Sequence, residues 1–179
     1  MKVTYYAAMS IDGFIATTDG DVSWLDNLDI DYAETGYEDF FASVDCLVMG
    51  RHTYNFVHSY GTWPYEDKLT WVCTSTPLQI VEGAHIETAS SIEKVLEAAQ
   101  TKGLKHLWLV GGGELASGFL NGGLLTHLSI SKMPLSLGAG IPLFSQHSIA
   151  TLSKLSHQEI KQSGFTQLQI EIAPRSNDS

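Results

Sequence analysis

Three glycines in a row, Gly111-Gly112-Gly113, follow the apolar run 107–110. They lead into Glu114-Leu115-Ala116-Ser117-Gly118-Phe119-Leu120, which continues in helical rhythm. A strand that enters a helix through residues without Cβ atoms leaves backbone N–H groups bare at the positive end of the helix dipole, an arrangement that binds phosphate. Taken alone, such a turn is equally a tight strand–helix connection with no ligand. A second copy of the pattern changes the weight. Gly50-Arg51-His52-Thr53 follows the apolar run 45–49 and adds a hydroxyl and a permanent cation. Arg51 can grip a phosphate through parallel N–H bonds. As a cation in a first helical turn it also opposes the dipole, which argues for a ligand. Thr74 and Ser75 end a third apolar run and supply further hydroxyls. In a mainly parallel sheet these turns gather along the carboxyl edge, where ligands bind. The spacing Gly111-x-Gly113-x-x-Ala116 also fits a loose dinucleotide fingerprint. A Rossmann unit needs an acid about twenty residues further on, and residues 129–134 contain none.

The elements that must position these residues alternate in type. Residues 3–9 form a first strand, apolar almost throughout and therefore central. Residues 17–31 are a long polar and acidic loop around Val22-Ser23-Trp24-Leu25. Residues 32–44 place Tyr37, Phe40, Phe41 and Val44 on one helical face. Strands are expected at 45–49, 69–73, 84–88 and 107–110. A helix opens at Ser90-Ser91-Ile92-Glu93, with Ser90 and Glu93 as a capping box, and ends at Lys102 before Gly103. A further helix, 114–121, stops at Gly122-Gly123. Residues 126–133 alternate as a strand ended by Pro134, and 137–142 is a loop. The alternating runs 151–161 and 165–172 form an antiparallel hairpin at a sheet edge, and residues 175–179 are a polar, frayed tail. The fold class is therefore α/β: one domain over 1–174, with a mostly parallel central sheet flanked by helices and an antiparallel C-terminal hairpin.

Composition narrows the function further. A length of 179 residues suits one domain with a sizeable core. The net charge of −10, with ten scattered Lys and Arg, argues against nucleic-acid binding. No apolar run is long enough to span a bilayer, and the N-terminus lacks a signal-peptide pattern. Cys46 and Cys73 lie in or beside apolar runs, as buried free thiols in a reducing compartment do, and a cytoplasmic location follows. The seven histidines are dispersed without metal-ligand spacing, so no metal is expected.

Several segments together resemble known families. Val48-Met49-Gly50-Arg51-His52-Thr53-Tyr54 and Leu109-Val110-Gly111-Gly112-Gly113-Glu114 are similar to the two glycine turns of dihydrofolate reductases. The segment from Ala7 to Ala16 is similar to their first strand and the loop after it. Ser10-Ile11-Asp12-Gly13 with Ser23-Trp24-Leu25, and Leu115 to Leu120 through Pro134 and Leu137-Gly138, resemble the C-terminal reductase domain of bifunctional riboflavin-biosynthesis deaminase-reductases. The resemblance implies a dihydrofolate-reductase-like fold and NADPH-dependent hydride transfer to a pterin, pyrimidine or similar small heterocycle. The activity it implies is that of a 5-amino-6-(5-phosphoribosylamino)uracil reductase or of a dihydrofolate reductase. It also implies a role for each residue. Gly50, Arg51, His52 and Thr53 bind one side of the pyrophosphate and the 2′-phosphate region, and Thr74 and Ser75 meet the 2′-phosphate or ribose. Gly111, Gly112, Gly113 and Glu114 close over the pyrophosphate. Ala8 and Ile15 flank the nicotinamide, and Ser131 faces the substrate.

The family patterns differ from this chain at the acids. Folate reductases carry a carboxylate on their first helix. Here Glu34, Glu38 and Asp39 share that stretch, and spacing singles none of them out. The riboflavin-pathway reductases carry an acid where this chain has Gly111, and Glu114 stands where folate reductases often have a base. Asp12 is the preferred catalytic carboxylate. Shielded by Trp24, it would have a raised pKa and could donate a proton beside the hydride acceptor; the alternative is an Asp-Gly turn. Trp24 is either a wall for a flat substrate ring or a core plug. His52 packs or caps its helix rather than acting as a base. Trp63-Pro64-Tyr65 reads as an exposed aromatic patch, in a pocket or at the interface of a homodimer. The function expected is an NADPH-dependent reductase. The alternatives are a non-catalytic nucleotide-binding module or a structural dimer on a reductase fold.

Overall fold

The structure is a computed structural model that describes residues 1–145 and 157–172. Its centre is an eight-stranded sheet in the order β5-β4-β3-β6-β1-β7-β10-β9. The strands are β1 (Lys2–Ser10), β3 (Cys46–Gly50), β4 (Leu69–Cys73), β5 (Ile86–Ala89), β6 (His106–Gly111), β7 (His127–Met133), β9 (His157–Lys161) and β10 (Thr166–Glu171). The first six run parallel, so their carboxyl ends share one edge. Strand β10 pairs antiparallel with β7, and β9 closes the far side as the expected hairpin. Residues 151–156, the expected start of that hairpin, and the tail 175–179 lie outside the described residues.

The apolar runs read as buried strands are buried because helices cover both faces. Val3, Tyr5 and Met9 of β1 pack on one face with Val95 and Ala99 of α3 (Ile92–Thr101) and with Ala116 and Phe119 of α4 (Gly113–Asn121). On the other face, Leu47, Met49, Val72 and Trp108 pack with Tyr54 of α2 (Arg51–Ser59) and with Tyr37, Phe40 and Phe41 of α1 (Tyr37–Ser43). Helix α1 has only seven residues, too few to hold together alone. Aromatic contacts fasten it. Tyr6 stacks on Phe40 at 4.3 Å, and Phe40 and Tyr37 meet Trp108 edge-on at 5.4 and 5.8 Å. Each such pair contributes about 0.5–1.5 kcal/mol beyond its burial. The Trp108 indole N–H donates to Tyr6 O at 3.1 Å, tying the cluster to β1.

Local readings change in four places. The helix expected over 32–44 is broken by Gly36, left-handed at φ +73°, into a 3-10 turn (Tyr32–Thr35) and α1. The cap of α3 is Ser91, whose Oγ accepts from Lys94 N, while Ser90 Oγ accepts from the Lys94 ammonium. Gly103 follows in the left-handed conformation expected of it. The loop at 137–142 contains a two-residue strand, β8 (Ile141–Pro142), paired with β2 (Phe14–Ala16). The two aromatic rings of the Trp63-Pro64-Tyr65 patch are turned inward, with Pro64 exposed between them: Tyr65 is buried against Trp108, and the half-buried Trp63 stands edge-on to Tyr65 at 5.2 Å. Cys46 is buried and Cys73 half-buried, both free. Among the described residues no helix is long and apolar enough to cross a membrane, and no group of His, Cys, Asp or Glu could hold a metal.

Candidate active site

The two glycine turns meet. Strands β3 and β6 are neighbours, so Gly50 and Gly111-Gly112 emerge side by side at the carboxyl edge. A Cβ on Gly50 would lie 3.9 Å from Gly111 O and 4.0 Å from Gly112 N; a Cβ on Gly112 would lie 3.7 Å from Thr53 Oγ1. Gly111 has φ +145°, a conformation that L side chains rarely adopt, and its peptide bond to Gly112 is cis. Helices α2 and α4 both start here, each from a glycine cap with no side chain bonded to its first amides. The donor set is two converging helix N-termini and the Thr53 hydroxyl, which suits a diphosphate.

Gly113 has a different part. A Cβ there would sit 2.6 Å from Pro142 O and 3.3 Å from Ser145 N, and Gly113 O accepts from Ser145 N at 3.2 Å. Its bare backbone admits the 142–145 segment rather than opening space for a ligand. Glu114 is exposed in the first turn of α4. Arg51 and Thr74 are brought together as expected. The Arg51 Nη1 donates to Thr74 Oγ1 at 3.3 Å, Thr76 Oγ1 at 3.0 Å and Pro77 O at 3.1 Å, pinning the start of α2 to the chain after β4. Ser75 lies exposed between these partners in sequence, and His52 is exposed on α2.

Between the sheet and the start of α1 lies a cavity of about 530 Å³, lined by Ala8, Ser131 and Met133 of the sheet and by Leu25, Thr35 and Tyr37 among others. Its volume is within the usual range for small-molecule sites. Ala8 and Ser131 are direct partners in the β1–β7 register, and alternation puts both on the α1 face. Ser131 is buried and donates to Gln167 Oε1 at 2.8 Å; Gln167 Nε2 in turn donates to Ser129 Oγ at 2.9 Å. Ile15 is not in this cavity. It sits on β2 and packs toward the α3/α4 core. Trp24 stands behind the cavity wall, not in it: it is buried with Met133 and Phe165, and its indole N–H has no partner among the described residues. Of the three candidate carboxylates, Glu38 and Asp39 are on α1 and line the cavity, while Glu34, on the 3-10 turn before it, accepts from Ser163 N at 3.0 Å on the β9–β10 turn.

Asp12 requires correction. It is exposed, not shielded by Trp24. Its carboxylate accepts from Ser10 Oγ at 2.5 Å, Ser136 Oγ at 2.9 Å, Leu137 N at 3.1 Å and Gly138 N at 2.8 Å. The Ser10 hydroxyl, with the other donors, holds its pKa well below the ordinary carboxylate range. Such a group stays ionised and clamps the 136–138 loop to the end of β1; it does not store a proton. Sequence reading missed Tyr6, Thr35 and Tyr37 as cavity residues. For Tyr6 the signal was available, since alternation along β1 places it on the same face as Ala8.

This geometry agrees with the comparisons to known proteins. A match to the RibD C-terminal domain family covers residues 1–166. The chain is 34% identical over 166 residues to an uncharacterized protein, YwjB, of Bacillus subtilis, covering 91% of this chain and 92% of that one. It is 28% identical over 171 residues to the riboflavin biosynthesis protein RibD of Corynebacterium ammoniagenes, of which it spans about half the length, 49%. Among solved structures, a putative riboflavin biosynthesis protein from Shewanella sp. PV-4 superposes with a TM-score of 0.75 at 28% identity, over 96% of this chain and 98% of that one. A diaminohydroxyphosphoribosylaminopyrimidine deaminase/5-amino-6-(5-phosphoribosylamino)uracil reductase from Thermotoga maritima shares the fold, with a TM-score of 0.76 at 15% identity over 96% of this chain and 56% of that one. The mostly parallel sheet and the antiparallel strand pair at its end are thus those of a known fold, and the chain belongs to the RibD C-terminal domain family.

Proposed function

We propose that this protein is an NADPH-dependent reductase acting on a small heterocycle. The observation that carries the reading is the meeting of two uncapped helix N-termini at Gly50 and Gly112, at the carboxyl edge of the sheet whose strands β1 and β7 give Ala8 and Ser131 to the cavity. The first-turn amides of α2 and α4, with the Thr53 hydroxyl, fit the pyrophosphate. Arg51, Thr74 and Ser75 fit the 2′-phosphate and ribose at the outer end. When bound, NADPH supplies a hydride from its nicotinamide ring. Ala8 offers its edge of β1 to that ring, and Ser131, Glu38 and Asp39 orient the acceptor across the cavity. Asp12 holds the 136–138 loop in place and takes no part in proton transfer.

Titration of the purified protein with NADPH, followed by nicotinamide fluorescence, tests the reading. Saturable binding is expected, weakened about tenfold or more in Arg51→Gln through loss of a charge-assisted contact. NADH is expected to bind more weakly than NADPH to the parent and about equally to both proteins. Lack of NADPH binding, or an Arg51→Gln affinity equal to the parent's, overturns it. Oxidation of NADPH by a member of a panel of pterins and aminopyrimidines separates an enzyme from a non-catalytic module.

A further inference from the structure

A further cavity, of about 440 Å³, lies on the α1 face of the sheet at the amino ends of the parallel strands, opposite the glycine turns. Strand register assembles it. Lys2 of β1 stands beside His106 of β6, and Thr4 of β1, His127 of β7 and Glu171 of β10 form the next row. Ser129 and Gln169 follow in the row after. Register neighbours share a face, so these side chains all line the cavity, and Ser43 at the end of α1 closes one side. Two things set it apart from a solvated sheet face. Both imidazoles are half-buried, and three basic side chains share the space with one carboxylate in a chain of net charge −10.

The hydrogen bonds show which donors are left over. Ser43 O can only accept, so His106 Nδ1 donates to it at 3.2 Å, and Nε2 accepts from Thr4 Oγ1 at 2.8 Å. Thr126 Oγ1 gives its one proton to Val3 O at 2.9 Å, so His127 Nδ1 donates to Thr126 Oγ1 at 2.7 Å. His127 Nε2 then keeps a lone pair with no partner among the described residues. Ser129 Oγ accepts from Gln167 Nε2 at 2.9 Å and has its own proton to offer. Lys2 and Glu171 make no ion pair with each other. Burial, with Lys2 close by, holds both rings below the ordinary histidine range. Two acids act the other way. Asp45, beside His106, is turned to the amides of Lys105 and His106 at 2.7 and 2.9 Å, and Glu171 faces His127. The rings are therefore mostly neutral at pH 7 and gain protons when negative charge lies against them.

We infer that this cavity is a second ligand site, for a small dianion such as a phosphate group, free or in a monoester, held by Lys2, the Ser129 hydroxyl and the rings of His106 and His127. Binding takes up protons. A proton on His127 Nε2 gives the anion a charged N–H donor, and a proton on His106 Nε2 turns the Thr4 hydroxyl from donor to acceptor and adds charge beside Lys2. Glu171 opposes the anion and keeps its affinity down. The site stands apart from the reductase reading, because it uses no residue of the glycine turns or of the cavity beside α1 that holds Ser131.

Sulfate is the first probe, because it stays a dianion between pH 5 and pH 8 and any pH dependence is then the protein's. Histidine-ring NMR of the full chain, with the His106 and His127 signals assigned from single variants, reads this cavity alone; the glycine turns offer sulfate donors of their own. Sulfate is expected to bind saturably and to raise the titration midpoint of both rings by about 0.5 pH or more. Its affinity is expected to be about tenfold or more tighter at pH 5.5 than at pH 8. His127→Gln, read on His106, is expected to weaken sulfate about tenfold through loss of a charged donor. Glu171→Gln changes an exposed side chain and is expected to tighten it about threefold or more. Midpoints that do not move, an affinity that does not rise as the pH falls, or a Glu171→Gln affinity no tighter than the parent's overturns the inference. Inorganic phosphate and phenyl phosphate, read on the same signals at pH 7, separate the two sources. Tighter binding of phenyl phosphate assigns the site to a monoester, equal or weaker binding assigns it to phosphate itself, and binding of neither overturns it.

Discussion

A carboxylate at the end of a strand invites a catalytic reading, and Asp12 shows how geometry decides otherwise. Two of its four donors are backbone amides of Leu137 and Gly138, more than a hundred residues away in sequence. A proton on Asp12 would occupy a lone pair that these donors share and remove the charge that strengthens their bonds. The linkage has a definite sign. The folded-state pKa is depressed, led by the Ser10 hydroxyl, so ionised Asp12 stabilises the fold above its unfolded pKa of about 3.9. That contribution is lost as pH falls through the folded value. Asp12→Asn is therefore expected to lower the urea midpoint at pH 7. The gap to the parent is expected to narrow as the pH drops below about 4. A gap that stays constant from pH 7 to pH 3 would show that the carboxylate charge is not what holds the loop.

At the scale of elements, the glycines of the two turns divide into those that let the protein pack and those that leave space for a ligand. Helix α4 approaches the 142–145 segment so closely that Gly113 has no room for a methyl group, the obstacle being the carbonyl of Pro142 at 2.6 Å. Gly113→Ala must push backbone from backbone, at a cost of about 1–3 kcal/mol, or roughly 2–10 °C in melting temperature for a chain of this size. Gly50 has ordinary extended geometry, φ −78° and ψ 166°, and its added methyl would meet nothing nearer than 3.9 Å. Gly50→Ala should melt close to the parent, yet the methyl would stand between the two helix N-termini and weaken NADPH about tenfold or more. Thermal melting and cofactor titration of the two variants separate these roles. If Gly50→Ala binds NADPH as the parent does, the diphosphate does not sit between the turns.

For the molecule as a whole, what was legible in the sequence is what one element determines by itself. The runs 45–49, 69–73 and 107–110 read as strands because helices cover both faces of the sheet and leave the strands apolar throughout. The glycine turns were legible because each lies on a contiguous segment. The break at Gly36 was not, since Tyr37, Phe40, Phe41 and Val44 keep helical spacing beyond it. Nor could spacing choose Ser91 over Ser90, adjacent residues with the same hydroxyl. The cavity was hidden for a larger reason. Tyr6, Thr35 and Ser131 come from three distant segments, and they meet only because β1 and β7 are neighbours beneath α1. That single sheet carries both the glycine turns and the strands that line the cavity, and it sets a last expectation. One continuous sheet should unfold in one cooperative transition. NADPH at about a hundred times its dissociation constant adds about 2.7 kcal/mol, which for a chain of this length shifts the whole transition up by about 5–10 °C. Differential scanning calorimetry with and without NADPH measures it. A transition that splits, with only part of the heat moving upward, would mean that the turns and the cavity belong to separately folding units and do not form one site.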